Sequence, residues 1–204
     1  MADDMKNVFK MIEENNVKYV DFRFTDPRGK WQHTAQSVST VDEDMLTDGI
    51  MFDGSSIAGW KDINESDMTL LPDCSSAVMD PFAAQEQLIL FCDVLEPSTG
   101  QPYSRDPRST AKRAQSYLAQ TGIGDTAVFG PELEFFVFDD VRFDVSQNQT
   151  FYALNEEEGD YNSGAVLEGG NIGHRPGMKG GYFPVPPVDS MTDLRAEMLT
   201  VIEE

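Results

Sequence analysis

The 204-residue sequence predicts an α+β protein in two parts, 1–104 and 105–204. Segments with helical spacing and segments with strand alternation both occur, and the strands come in runs instead of alternating with helices. Hydrophobic residues make up 40% of the chain, which is enough apolar surface for a core. A segment rich in Pro, Ser, Thr and Gly at 96–102 separates the parts, so we place the domain boundary at about residue 104.

The first part begins with a helix and a pair of strands. Apolar residues recur every three or four positions over 5–16, which predicts an amphipathic helix. Apolar and charged residues alternate over 17–24, so we expect a half-buried strand, and a turn then returns the chain into a second strand over 30–38. The capping-box spacing that starts at Thr40 predicts a short helix that Gly49 can end.

A loop and several short strands complete the first part. Residues 51–56 are predicted to be a polar loop bounded by apolar residues. Apolar runs predict strands at 68–71, 77–79 and 88–94, of which the last is the most apolar.

The second part begins with a helix that has clear end signals. Asp106 stands where an N-cap is expected and Gly122 where a helix stops, which predicts a helix over 107–120. A strand is predicted over 127–138. Residues 139–146 either continue that strand or pair back on it.

A long loop and a final helix follow. Residues 147–187 are predicted to be mostly loop, and a connection of this length is either functional or covered by something outside the chain. Asp189 or Ser190 caps a helix that reaches the last residues without a glycine or a basic residue to end it. We therefore expect the domain to continue beyond residue 204.

The charge balance argues against several classes of partner. Fifteen Lys and Arg against 36 Asp and Glu give a net charge of −21, and such a surface repels nucleic acid and anionic lipid headgroups. No apolar run is long enough to span a membrane, and the acidic start is unlike a secretory signal. Cys74 and Cys92 lack a C-x-x-C spacing, so we expect reduced thiols in a cytoplasmic protein.

Two carboxylates on the predicted strand 127–138 form the clearest chemical motif. Glu132 and Glu134 are two positions apart, so on a strand their side chains share a face. Like charges this close favour a cation between them, and carboxylate oxygens suit Mg²⁺ or Mn²⁺. The alternative is an edge strand that shows both carboxylates to water.

Other polar segments carry weaker signals. Asp53 and Ser56, on the loop 51–56, offer a carboxylate and a hydroxyl for a cationic ligand, but the same residues also form ordinary turns. Trp60 is either a core anchor or a cover over a ligand. The glycine cluster 169–181 lacks the spacing of a phosphate-binding loop, so a surface loop is favoured there.

Several segments together resemble the bacterial type I glutamine synthetases (glutamate–ammonia ligases). Each segment alone is weak, but all of them occur in the order of that family from about residue 5 to the last residue. The segments that carry the resemblance are 17–26, 51–57, 63–68, 105–109, 129–136 and 179–187.

The resemblance implies an N-terminal β-grasp domain over 1–104, followed by the truncated start of the catalytic α/β domain over 105–204. It also implies a dodecamer of two stacked hexameric rings of identical subunits. Each active site would lie between subunits, and the β-grasp domain of one subunit would complete the catalytic domain of the next.

The resemblance assigns the two carboxylates to a pair of divalent cations, Mg²⁺ or Mn²⁺. Glu134 would help to hold the more tightly bound metal on the substrate side. Glu132 would help to hold the metal that bridges the phosphates of ATP. Because two carboxylates are too few for two metals, we expect the 204-residue chain alone to bind metal weakly and to catalyse nothing.

The remaining site residues follow from the same resemblance. Asp53 and Ser56 would lie on the loop that a neighbouring subunit lends to the ammonium site, where Asp53 would help to deprotonate ammonium. Tyr182 would line that pocket, and Trp60 would lie near the nucleotide.

The implied activity is ATP-dependent ligation of ammonia to L-glutamate through a γ-glutamyl phosphate. Two alternatives stay open at this point. One is a non-catalytic β-grasp module that self-associates or caps full-length subunits. The other is a ligase that uses a different amine or acid on the same scaffold.

Overall fold

The structure is a computed structural model that describes residues 2–63, 66–156, 159, 176–177 and 179–203. The chain divides into two compact units between Phe129 and Gly130. The predicted boundary at residue 104 precedes this division and stays a prediction. Most of the predicted glycine cluster 169–181 lies outside the described residues.

Four α-helices are present among the described residues. They are α1 (Ala2–Glu14), α2 (Glu43–Asp48), α3 (Pro107–Thr121) and α4 (Thr192–Glu203). All four correspond to predicted helices. No helix in the described part of the chain is both long and apolar enough to cross a membrane.

Nine strands form two sheets within the described ranges. They are β1 (Tyr19–Thr25), β2 (Trp31–Ser37), β3 (Ile50–Asp53), β4 (Asp67–Pro72), β5 (Val78–Met79), β6 (Gln87–Glu96), β7 (Gln101–Pro102), β8 (Asp140–Val145) and β9 (Thr150–Asn155). The predicted strands at 17–24, 30–38, 68–71, 77–79 and 88–94 are confirmed with shifts of a few residues.

Strand β6 organises the larger sheet. The order is β2-β1-β6-β4-β3, with β5 and β7 also paired to β6. Strand β1 runs parallel to β6, with Phe22 opposite Leu90, whereas β4 runs antiparallel to it, with Leu70 opposite Val94. These four side chains are fully buried, so the apolar face of this sheet is the core of the first unit.

Helix α1 covers part of that core. Its apolar positions bring Val8 into full burial, while Met5, Phe9 and Ile12 pack partly buried against the core cluster. The helix therefore has the amphipathic character that its spacing predicts.

Two predictions for the first unit are wrong. The cap of α2 is Asp42, whose carboxylate accepts a hydrogen bond from the Met45 N–H at 2.8 Å, and not Thr40. Residues 51–56 are not all loop, because β3 extends to Asp53 and pairs with β4 before a short 3-10 turn at Gly54–Ser56. Gly49 does end α2, with φ at 87°.

Helix α3 has the ends that the sequence predicts. Asp106 is its N-cap and accepts from the N–H groups of Arg108 and Ser109. Gly122 adopts the left-handed conformation at the C-terminal end, with φ at 68°.

The last residues of the first unit and the second unit differ most from expectation. Residues 126–138 form no strand, because no described segment pairs with them and a strand needs a partner for its backbone hydrogen bonds. Phe129 and Leu133 are accordingly 86% and 82% exposed. Strand β8 pairs forward with β9 instead of continuing or pairing back on 127–138, so part of the predicted loop 147–187 is a strand.

Candidate functional site

The first group of predicted site residues lies at the end of β3. The Asp53 carboxylate accepts hydrogen bonds from the Ser55 hydroxyl at 2.6 Å and from the Ser55 N–H at 2.9 Å. These bonds hold the pKa of the Asp53 carboxyl below its ordinary value, with a smaller contribution from Ser66. The carboxylate is exposed and therefore stays ionised and accessible at neutral pH.

Gly54 fixes the direction of the chain after Asp53. Its N–H donates to the Ser66 carbonyl at 2.7 Å. A Cβ at this position would lie 2.5 Å from the Sδ atom of Met68 and 3.1 Å from the Ser66 oxygen. Only glycine permits this close approach, so the short turn that carries Ser56 is built on it.

A small hollow brings Asp53 and Ser56 together. It has a volume of about 340 Å³ and is bordered by both residues, by His33 and by apolar side chains that include Phe24 and Phe52. A carboxylate and a hydroxyl therefore both line this hollow, which suits a small cationic or polar ligand.

Trp60 lies in the core of the same unit and does not border this hollow. It is 5% exposed, and its ring lies 5.6 Å from both Phe24 and Tyr103 and 6.1 Å from Phe52 between ring centroids. The packing agrees with the core-anchor alternative. The predicted position of Trp60 near a nucleotide stays a prediction.

The second group of predicted site residues lies in the second unit. Glu132, Glu134 and Tyr182 border one hollow of about 1130 Å³. Lys179 and Arg195 border it as well. The two carboxylates thus share an environment although their segment forms no strand, and both are exposed.

Arg195 is a residue that the sequence reasoning missed. It follows Met191 and Leu194 at helical spacing, and all three border the hollow, so the i, i+3, i+4 pattern could have indicated it. Its guanidinium donates to the Asp189 carboxylate. Hydrogen bonds from Arg195 and Thr192 lower the pKa of Asp189 to about 2, so this ion pair persists at neutral pH.

The donor chemistry of this hollow fits a hard divalent cation in part. Glu132, Glu134 and Glu156 supply carboxylate oxygens, which are the donors that Mg²⁺ and Mn²⁺ prefer. Among the described residues, however, no three His, Cys, Asp or Glu side chains gather closely enough to hold a metal ion. Glu132 and Glu134 therefore supply some of the ligands that a metal site needs.

Family models match almost the whole chain. Residues 16–97 match the β-grasp domain of glutamine synthetase, and residues 104–204 match the catalytic domain of glutamine synthetase. The two matches follow each other in order along the chain.

Curated relatives agree with these matches. The chain is 66% identical over 201 residues to the glutamine synthetase of Azospirillum brasilense, and 59% identical over 197 residues to that of Rhizobium meliloti. These alignments cover 98% and 97% of the chain but only 43% and 42% of the two relatives. The chain thus spans less than half the length of the relatives that it matches.

A solved structure shows the same fold. The cryo-electron microscopy structure of Plasmodium falciparum glutamine synthetase superposes with a TM-score of 0.83 at 23% sequence identity. The superposition covers 98% of this chain and 39% of that one.

Proposed function

Because the chain belongs to the glutamine synthetase family, we propose that the complete protein ligates ammonia to L-glutamate and forms L-glutamine at the expense of ATP. The observation that carries this proposal is the pair of family matches in sequence order, which together span 16–97 and 104–204. The carboxylate-lined hollow of the second unit supports it.

The proposed cofactors are two divalent cations, Mg²⁺ or Mn²⁺, with Glu134 on the substrate side and Glu132 on the ATP side. Both carboxylates border the same hollow, and Lys179 and Arg195 border it too. When bound, such cations neutralise negative charge on transferring phosphoryl oxygens. The rest of the ligand set would come from outside the described residues.

The reaction needs an activated acid. The γ-carboxylate of glutamate attacks the γ-phosphorus of ATP, which releases ADP and leaves a γ-glutamyl phosphate. Ammonia then attacks the acyl carbon, and inorganic phosphate leaves. Bordering side chains such as Tyr182 would help to exclude water, which would otherwise hydrolyse the acyl phosphate.

Asp53 supplies the charge for the second step. Hydrogen bonds from Ser55 keep its carboxylate ionised, so it attracts ammonium into the small hollow beside Ser56. Before the N–C bond forms, the carboxylate takes one proton from ammonium, which leaves ammonia as the nucleophile. The nitrogen loses a second proton after the attack, as inorganic phosphate leaves, and both protons pass to solvent. Trp60 would lie on the nucleotide side of the assembled site.

The proposal includes assembly of identical subunits, in the dodecamer of two hexameric rings that the family resemblance implies, and a cytoplasmic location. Several large apolar side chains of the second unit are exposed, and in the complete protein they would be covered either by the rest of the chain or by another subunit. Phe143, Tyr152 and Phe183 are 71%, 77% and 84% exposed, and isolated chains rarely expose so many aromatic rings.

A chimera tests the function directly. In it, this chain replaces the matched portion of the Azospirillum brasilense glutamine synthetase, to which it is 66% identical. We expect glutamine formation that requires ATP and Mg²⁺. Glu134→Gln should lower it by about a hundredfold or more, since even outer-shell partners of metal sites contribute about 10- to 100-fold.

The matched control is Asp144→Asn, an exposed carboxylate on β8 that does not border the hollow. It should leave the rate unchanged. A chimera that folds and assembles but forms no glutamine would refute the proposed function. Full activity in Glu134→Gln would refute the metal assignment.

A stand-alone β-grasp module has no support in these observations. Residues 104–204 match the catalytic domain of the same family, and that match follows the β-grasp match over 16–97 in order along the chain.

A further inference from the structure

The segment that carries Asp53 and Ser56 is held at its two ends in different ways. At its start, β3 pairs with β4, and the Gly54 N–H donates to Ser66. Two successive turns follow, in which the Ile57 N–H donates to the Gly54 carbonyl and the Trp60 N–H to the Ile57 carbonyl, both at 3.1 Å. These two bonds connect Trp60 through Ile57 to Gly54, the residue that follows Asp53.

The other end of the segment, at Gly59 and Trp60, is held by two side chains that follow β6 in the sequence. Arg105 donates from Nη1 to the Gly59 carbonyl at 2.6 Å and to the Trp60 carbonyl at 3.4 Å. The Tyr103 hydroxyl donates to the same Trp60 carbonyl at 2.9 Å. The site mechanism uses neither of these side chains.

Two further contacts strengthen this connection. The Lys61 ammonium lies 2.7 Å from the Glu96 carboxylate and 5.5 Å from the centre of the Tyr103 ring. The Trp60 ring lies 5.6 Å, between ring centroids, from both Tyr103 and Phe24, and Phe24 borders the small hollow. The end of the segment is thus fixed through both its backbone carbonyls and its largest side chain.

Gly59 lies in the second of the two turns, where its carbonyl accepts the hydrogen bond from Arg105. Its φ of 86° is a conformation that glycine adopts freely, and a Cβ there would meet no atom within 4 Å. Since no side chain packs at this position, the local backbone is held by the turn bond from the Trp60 N–H to the Ile57 carbonyl and by the bond from Arg105 to the Gly59 carbonyl.

We propose that Arg105 and Tyr103 are positioning residues for the ammonium side of the reaction. By holding the Gly59 and Trp60 carbonyls, they fix the segment that presents Asp53 and Ser56. Neither residue touches a reacting atom. The inference rests on the proposed function for its kinetic consequence, but its structural consequence can be measured without any activity.

The structural test uses amide hydrogen exchange in the 204-residue chain. Arg105→Ala and Tyr103→Phe should each speed exchange at the Ile57 and Trp60 amides, and for Arg105→Ala the change should be about tenfold, the factor that corresponds to loss of a hydrogen bond from a charged group. Exchange in β6 should not change. The control is Arg28→Ala, an exposed arginine in the turn after β1.

The results separate the alternatives. If Ile57 and Trp60 exchange no faster in both variants than in Arg28→Ala, the proposal is wrong. If Arg105→Ala speeds exchange throughout the unit, Tyr103→Phe decides, because it removes a single hydroxyl and keeps the ring. In that case, faster exchange in Tyr103→Phe that is confined to the Ile57 and Trp60 amides supports the proposal. Unchanged exchange at these amides in Tyr103→Phe overturns it.

The kinetic test uses the chimera. Arg105→Ala should raise KM for ammonium about tenfold, on the same hydrogen-bond scale, and should raise KM for ATP by a smaller factor, because Trp60 would lie on the nucleotide side, while KM for glutamate stays unchanged. An equal change in all three constants would contradict a positioning role at the ammonium site. A parent chimera without any glutamine synthesis would refute the proposed function, whereas the exchange result would still decide the proposal on Arg105 and Tyr103.

Discussion

Replacing Asp106 by alanine should destabilise the first unit more than the loss of an ordinary helix cap. The Asp106 side chain is fully buried and accepts hydrogen bonds from the Ser109 hydroxyl at 2.6 Å, the Ser109 N–H at 3.0 Å and the Arg108 N–H at 3.2 Å. It also lies 3.4 Å from the Val94 nitrogen on β6. One carboxylate therefore caps α3 and connects it to the central strand.

The magnitude follows from these contacts. Loss of an N-cap costs about 1 kcal/mol. The Ser109 hydroxyl is in a residue only 3% exposed, and a buried donor left without its acceptor costs a further ~1–2 kcal/mol. We expect Asp106→Ala to lower the free energy of unfolding by about 2–3 kcal/mol.

Urea unfolding followed by tryptophan fluorescence measures this change. Both tryptophans, Trp31 and Trp60, belong to the first unit, so the signal reports on that unit. The control is Asp42→Ala, because Asp42 caps α2 through a single exposed hydrogen bond and should cost about 1 kcal/mol or less. If Asp106→Ala and Asp42→Ala lower the free energy of unfolding equally, the buried hydrogen bonds of Asp106 do not contribute as proposed.

Three further predictions concern the sites. Gly54→Ala should cost about 1–3 kcal/mol in urea unfolding, because the added Cβ would overlap Met68; an unchanged midpoint would contradict the close approach. In the chimera, Asp53→Asn should lower the rate with ammonium more than with hydroxylamine, which is already neutral at pH 7; equal losses would contradict a role in deprotonation. A carboxyl NMR titration should place the pKa of Asp189 at about 2. The ion pair of Asp189 with Arg195 therefore stabilises α4 fully when the pH is above the ordinary carboxyl pKa, and this stabilisation is lost as the pH falls through about 2. An ordinary pKa for Asp189 would contradict this.

Local chemistry made much of the first unit predictable. The N-cap and the terminal glycine of α3 depend on residue types within one helical turn, and both are confirmed. Strands β1 and β6 follow from alternation and apolar content over seven and ten residues. Strand β3 has only four residues and ends in a turn, so its own alternation of half-buried and exposed positions was too short to outweigh the turn residues after it.

Contacts between distant residues were not predictable. His33 has no ligand spacing in the sequence, yet its Nδ1 lies 2.5 Å from the buried Asp21 carboxylate, which Arg23 also contacts at 2.6 Å. The register of β1 and β2 creates this cluster, because it places Arg23 directly opposite His33. The spacing of residues along one strand does not indicate which strand pairs with it or in which register.

The segment 127–138 was predicted to be a strand and is not one. Its β-branched and aromatic residues favour a strand, but propensity alone does not supply hydrogen bonds. Within the described residues the segment has no partner, so its apolar side chains remain exposed. Glu132 and Glu134 nevertheless both border the hollow of the second unit, and their role there stays a prediction.

Manganese stoichiometry in the assembled chimera tests the central claim most directly. Electron paramagnetic resonance of bound Mn²⁺, titrated into the parent and into the Glu132→Gln and Glu134→Gln variants, counts the cations that each protein holds. The family assignment predicts two Mn²⁺ per subunit in the parent, with the weaker one lost in Glu132→Gln and the tighter one lost in Glu134→Gln. Unchanged binding in both variants would show that these carboxylates hold no metal.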